Sequence, residues 1–445
     1  MSERRVVITG LGVVCPVGIG IGRAYESLLA GENGVRRIEA FDPAGFDSQV
    51  GGEIDKPRMG DYVPKSYRKA TKVMARDIEI AVAAAYEAVK DAGLRTKCLI
   101  ERGEAPEADP VDPTRFGANI GAGLICADLT ELASALATAA GEDDEFDIRL
   151  WGSEGMTNLT PLWLLKFLPN MLACHVTIVH DAQGASNTIT CGEASSHLAV
   201  GEAFRTITDG AADICICGGA ESKLNPMGLM RQSLLKRLAA DRNGTPSAAC
   251  RPFDLGHSGT VISEGGGLII LEALEHAERR GARIYGELVG FGAAANTKSW
   301  SEPDPEGRAV AVAVGKALAD ADVAPEQVDL IAAYGTGIPA WDLCESRGLH
   351  SVLGKRAADV PTAAWKGAIG NNGAGGGAID LSVAVMAAHA GKIPPSQNVN
   401  QVDPACNLNV VAGEPMALSP GVVVSTAYAL SGGQTAALVF KPAVS

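Results

Sequence analysis

The sequence predicts an α/β protein built from two related halves, residues 1–255 and 256–445. Three observations lead there. Runs with strand character alternate with runs of helical period from end to end. The hydrophobic fraction, 47% of 445 residues, is enough for a large core shared by two halves. Both halves also end alike, with a strand, a Gly-Gly pair and an apolar strand, in ADICICGGAE and VVVSTAYALSGGQTAALVF. That likeness points to duplication of about half the chain, and no short-period repeat competes with it.

RRVVITGLGVV reads as a buried strand closing in a glycine turn. ARDIEIAVAAAYEAVKDAG sets Ile78, Ala81, Val82, Ala85 and Val89 on one helical face. PEADPVDP is a loop, FGANIGAG a strand into a turn, and ADLTELASALATAA a helix. GEDDEFD is an acidic solvated insertion, and TNLTPLWLLKFLPNMLACHV is helical and strongly apolar. A strand then leads through the small residues of CGEASS into the helix SSHLAVGEAFRTITDG. The strand ADICICGGAE follows, with Cys215 and Cys217 on one face. In the second half, RIYGELVGFGAA is a long strand, AVAVGKALADADV a helix, and VDLIAAYGTG a strand into a turn. WKGAIGNNGAGGGAIDLSVAVMAA is a glycine-rich turn into a helix, and VVVSTAYALSGGQTAALVF two strands about a turn.

A formal net charge of -14 removes any overall attraction for nucleic acid or anionic membrane. An acidic partner needs a local basic patch, or must dock on another subunit. The longest apolar stretch, PLWLLKFLPNMLACHVTIV, is interrupted by Lys166, Pro169, Asn170 and His175, so no membrane span is expected. The N-terminal apolar run is short, β-branched and glycine-punctuated, which fits a strand better than a signal sequence, and the cytoplasm is the expected location. The ten cysteines sit mostly in apolar runs without a CxxC pair and read as buried thiols. The G-x-G of VVITGLGVVCPVG lacks a third glycine opening a helix, and GAIGNNGAGGG lacks the Lys-Ser/Thr of a P-loop. Neither supports nucleotide binding, and no two histidines have metal-ligand spacing with acidic neighbours. No cofactor or metal is expected.

Several landmarks carry a resemblance: VVITGLGVVCPVG, AFDPAGFD, NMLACHVTIVHDAQGAS, ADICICGGAES, CRPFD, SEGGGLIILEALEHAERRGARIYGELVGFG, YGTGIPAWDLCE, the Lys366 turn and SGGQTAALVF. Together they resemble the β-ketoacyl-acyl-carrier-protein synthases over nearly the whole length. The resemblance implies the thiolase fold, five layers αβαβα from two duplicated halves, in a dimer. In that family a cysteine at a strand-to-helix elbow takes the acyl chain, and two histidines activate malonyl decarboxylation and stabilise the oxyanion. Gly184 and Gly201 match family glycines and put the nucleophile position at Glu193. Cys191 falls two residues earlier, on the strand and below the elbow. The first histidine turn has become Tyr334-Gly335-Thr336, and the second histidine, five residues after Lys366, has become Asn371. Lys366 and the acidic pair Asp342 and Glu345 remain, while the gating phenylalanine has become Ser431.

With the cysteine, both histidines and the gate gone, no catalytic set is intact. The pattern resembles the chain length factor, the non-condensing partner of a ketosynthase in type II polyketide synthases, although that family usually carries glutamine where Glu193 stands. The resemblance implies an active ketosynthase as heterodimer partner, with acyl carrier protein docking mainly through that partner. Two other readings stay open: a decarboxylase of malonyl-carrier protein, and a condensing enzyme using Cys191. Lys366 is the expected counter-ion of Glu193, because an unpaired buried carboxylate is costly. Ala127, Thr130 and Ser134 align with the positions lining the far end of the acyl tunnel, and their i, i+3, i+7 spacing puts them on one helical face. Some family members close the tunnel with aromatic residues at the first and third of these positions; Ala127 and Ser134 are small, so the tunnel is expected to run deep.

Overall fold

A computed structural model describes residues 4–141, 144–419 and 421–443. Eleven strands make the main path of its large sheet: β1 (Val6–Cys15), β2 (Phe116–Ala122), β3 (Ser186–Ile189), β4 (Ile214–Ser222), β5 (Ile262–Ala273), β6 (Gly286–Ala295), β7 (Val328–Ala332), β8 (Pro361–Ala363), β9 (Asn409–Val410), β10 (Val422–Tyr428) and β11 (Gln434–Pro442). Their spatial order is β9-β8-β7-β10-β11-β6-β1-β5-β4-β2-β3. In the first half β2 runs parallel to β3 and β4, and β4, β5 and β1 follow antiparallel. In the second half β7 runs parallel to β8 and β10, and β10, β11 and β6 follow antiparallel. The orders 3-2-4-5-1 and 8-7-10-11-6 are one topology used twice. The first residues of β1 pair with those of β6 and join the halves.

The helices that matter here are α1 (Arg76–Asp91), α2 (Leu129–Thr138), α3 (Met171–His180), α4 (Ser195–Thr208), α5 (Pro226–Leu234), α6 (Arg308–Asp320), α7 (Pro339–Leu353) and α8 (Gly376–Ala390). Helix α1 covers β1, β5 and β4 on one outside face, and α6, backed by α7, covers β6 and β11 on the other. Helices α4 and α8 touch each other and lie between the two half-sheets, α4 against β4, β2, β11 and β6, α8 against β5 and β10. That gives the five layers αβαβα. The middle layer explains the composition of α8, which is buried on nearly every face and accordingly apolar all round.

Four sequence expectations change. Gly10 and Gly12 do not close a turn: β1 runs through both, with a bulge between Ile8 and Gly10, and α1 packs onto them. TNLTPLWLLKFLPNMLACHV is not one helix; Pro161 and Pro169 interrupt it, Leu162 takes φ 64°, and only α3 is α-helical. SEGGGLIILEA holds β5, a strand hidden by its glycines, and Gly218-Gly219 lies inside β4 whereas Gly432-Gly433 is a turn. The antiparallel equivalents are therefore β4/β5 and β10/β11. Because β5 hydrogen-bonds to β1 and β4, the first half extends past it, beyond the 255/256 boundary. Glu142 and Asp143 of the acidic insertion lie outside the described residues.

The contact of α1 with β1 is close. A Cβ on Gly12 would stand 2.0 Å from the Ala84 carbonyl oxygen and 2.4 Å from the Ala88 nitrogen. Backbone atoms cannot yield as a flexible side chain does. Gly12→Ala is expected to cost at least about 1–3 kcal/mol, the range for an overpacked core. A lower urea midpoint at unchanged m-value is the readout; an unchanged midpoint would mean that α1 can lift off the sheet.

Candidate functional site

The two central helices start at equivalent elbows. After β3 the chain passes Thr190, Cys191 and Gly192 into a 3-10 turn, Gly192–Ala194, that continues directly as α4. Gly192 takes φ 56°, a left-handed value that strains other residues, and so lets the backbone reverse there. Glu193 follows at 3% exposure, in the first helical turn, where the N-terminal dipole favours an anion. In the second half, β8 leads through Lys366 and Asn371 into the 3-10 turn Gly373–Gly375 and then α8.

Glu193 is held at both oxygens. One pairs with Lys223 Nζ, and the other accepts the Leu430 N–H at 2.9 Å. Burial works to raise its carboxyl, but Lys223 and the hydrogen bonds outweigh that and hold it down at about 2. Lys223 is raised above its ordinary value, because Glu193 and Glu221 overcome the burial that disfavours its charge. The expected counter-ion, Lys366, is occupied elsewhere. It pairs with Asp380 of α8, both groups wholly buried, and its ammonium stands 3.7 Å from the centroid of the Tyr334 ring. Burial raises the Asp380 carboxyl to about 6 against the pull of Lys366.

The two positions aligned with histidines satisfy each other. The Tyr334 hydroxyl donates to Asn371 Oδ1 at 2.9 Å, and burial pushes that phenol up, so neither group brings a charge to the site. The surviving acids hold backbone. Asp342 accepts from Thr336 N–H at 2.8 Å, Gly337 N–H at 3.1 Å and Phe253 N–H at 2.9 Å. Glu345 accepts from Tyr334 N–H at 2.8 Å and Gly335 N–H at 2.9 Å. They fix the turn that carries Tyr334.

A cavity of about 350 Å³ opens at the elbow, with Glu193, Glu221, Lys223, Gln232, Arg237 and Ser431 on its walls. No histidine lines it, and neither do Tyr334, Asn371 or Lys366. Cys191 stands at its edge, just past the end of β3 rather than on the strand, and half-buried rather than inside the fold. Burial raises its thiol, the opposite of what a nucleophile needs. Ala127, Thr130 and Ser134 lie off this cavity. Asp128 caps α2 by accepting the Thr130 N–H at 2.8 Å, so the helix starts at Leu129 and Ala127 precedes it. Only Thr130 and Ser134 share a helical face, and both are exposed.

Lys223, Arg237 and Asp380 escaped the sequence reading. Two left a signal: Lys223 directly follows a wholly buried strand, and Asp380 is the one acid in the apolar run GAIDLSVAVMAA. Nothing local marks Arg237. Among the described residues no three His, Cys, Asp or Glu side chains group as a metal requires, and no helix is long and apolar enough to cross a membrane.

The Glu193–Lys223 pair sets its own test. Lys223→Met strands a buried carboxylate and is expected to cost about 3–5 kcal/mol, largely recovered by adding Glu193→Gln. Because the folded carboxyl lies at about 2 against an ordinary 4.5, its stabilisation is complete above about pH 4.5 and is lost as pH falls toward 2. In urea titrations the gap between wild type and the double variant should stay constant from pH 8 to 5 and close below that. A gap that widens on acidification would contradict the pairing.

Comparison with known proteins gives this scaffold its family. The β-ketoacyl synthase N-terminal domain matches residues 3–277 and the C-terminal domain residues 285–400. A 3-oxoacyl-[acyl-carrier-protein] synthase 2 of Synechocystis is 33% identical over 441 residues, covering 99% of each chain. The structure of a type II PKS acyl-carrier protein in complex with its ketosynthase bound to the hexaketide matches at TM-score 0.84 and 28% identity over 100% of both chains. The ishigamide ketosynthase/chain length factor matches at TM-score 0.83 and 27% identity, again over 100% of both. Across both domains and nearly its entire length, the chain belongs to the β-ketoacyl synthase family of fatty-acid and polyketide synthesis.

Proposed function

We propose that this chain is a non-condensing subunit of a ketosynthase, of the chain-length-factor kind, which pairs with an active ketosynthase and shapes its acyl tunnel. The observation that carries the reading is the Glu193–Lys223 ion pair at the nucleophile position. A carboxylate held at about 2 and locked to a lysine is a poor nucleophile, and an acyl anhydride formed there, with the carrier thiolate leaving, would have to leave Lys223 buried without its Glu193 partner. Tyr334 and Asn371, spent on each other, supply no charge to an enolate. That also counts against decarboxylation of malonyl-carrier protein, and the raised thiol of Cys191 counts against condensation through it.

Surface features support a partner. Strand β3 ends the sheet, with Ser186 and Asn187 exposed, and an edge strand offers unpaired backbone groups. Large apolar side chains from 124 to 165 are also exposed, Leu162 at 77% and Ile148 at 68% among them. Lys65, Arg68, Lys69 and Lys72 are exposed on and between successive 3-10 turns and give this acidic chain the local basic patch that an acidic carrier protein needs. Carrier docking therefore need not fall wholly to the partner.

The chain alone is expected to form no β-ketoacyl product from acetyl and malonyl groups on a carrier protein. Glu193→Cys should not rescue it, since catalytic groups act as a unit. Product from that single variant would overturn the proposal. Co-expression with an intact ketosynthase should yield a mixed complex whose activity depends on the partner's cysteine.

Length control at Ala127, Thr130 and Ser134 belongs to that complex. Small side chains there leave room for a deep tunnel or for close helix packing, and Ala127→Phe separates the two. Under the tunnel reading the products shorten while turnover persists. Unchanged product length in an active complex would assign these residues to packing.

A further inference from the structure

The turn between β10 and β11 is gripped by charged groups from two other parts of the chain. Glu193 accepts the Leu430 N–H at 2.9 Å. Arg237 Nη2 donates to the carbonyl oxygen of the same Leu430 and to Ser301 O at 2.8 Å, and Arg237 Nη1 donates to Ser431 Oγ at 3.0 Å. Both polar groups of one residue's backbone are thus bound by side chains of opposite charge, Glu193 at 3% and Arg237 at 5% exposure. The loop after β6 adds two backbone bonds, Gly432 N–H to Trp300 O and Asn296 N–H to Gly433 O, each 2.7 Å. The turn also rests on the elbow, since a Cβ on Gly192 would meet Ala429 Cβ at 3.3 Å.

We infer that Glu193 and Arg237 form a latch that holds the 429–433 turn shut against the elbow, fixing the Ser431 wall of the cavity. A turn of this composition has reason to move without such bonds. Gly432 and Gly433 take φ 88° and 79°, and Ser431 has no large side chain to wedge the segment in place. The residue at the former reacting position has become a fastener for the segment that faces it. The latch is independent of the subunit pairing proposed above and needs no partner.

Residue-resolved amide hydrogen exchange on the full chain tests it. In the wild type the Leu430 amide should exchange as slowly as the strand amides of β10, although it sits in a turn. In Glu193→Ala/Lys223→Met, which removes both charges together, and separately in Arg237→Met, exchange at Leu430 and Gly432 should accelerate at least tenfold while α4 and β5 stay protected. Wild-type exchange at the rate of an open loop would overturn the latch, as would unchanged exchange at Leu430 in the folded variants. Should a variant fail to fold, the wild-type rate alone still decides.

Discussion

A charge enclosed by protein must find an opposite charge or a set of hydrogen bonds, and the centre of this molecule is arranged around that requirement. Glu193 has Lys223 and the Leu430 N–H; Lys366 has Asp380 and the face of Tyr334; Asp342 and Glu345 have the amides of the 334–337 turn. At the start of α1, Arg76 pairs at 2.7 Å with Glu264 of β5. Each ion is settled locally, by a group a few ångströms away on a neighbouring element. Lys223 serves both Glu193 and Glu221 in this way.

At the elbow Glu193 carries a charge, and a lysine directly after β4 neutralises it. Two separate residues, far apart in sequence, make sense only together. The same holds for Tyr334 and Asn371, whose hydroxyl and amide oxygen satisfy each other at 2.9 Å.

The fold was largely legible because its signals are local. Helix α1 shows its apolar face in its period, and the strands β2, β4, β10 and β11 are short apolar runs between turns. Strand β5 was not, since the triplet Gly265-Gly266-Gly267 looks like a break and becomes a strand only because α8 and β4 pack closely on it. The position of Glu193 was legible from its flanking glycines, but its partner was not. Lys366 was the evident candidate, being buried and near the matched motifs, yet Asp380 lies nearer to it, across the first turn of α8. Ion pairs between elements depend on distances of a few ångströms that no spacing in the sequence encodes. The start of α2 was misplaced for a simpler reason: Asp128 is a good cap, and a cap sits outside the helix it begins.

The duplicated topology places two elbows together at the centre of the molecule. The elbows before α4 and α8 occupy equivalent places in the two halves, and the middle layer brings their helices into contact. What positions those elbows is backbone: the reversal at Gly192, and the parallel pairing of β2 with β3 and of β7 with β8. The groups they present are side chains, Glu193 at one and Asn371 at the other, and these are satisfied by Lys223 and the Leu430 N–H and by the Tyr334 hydroxyl.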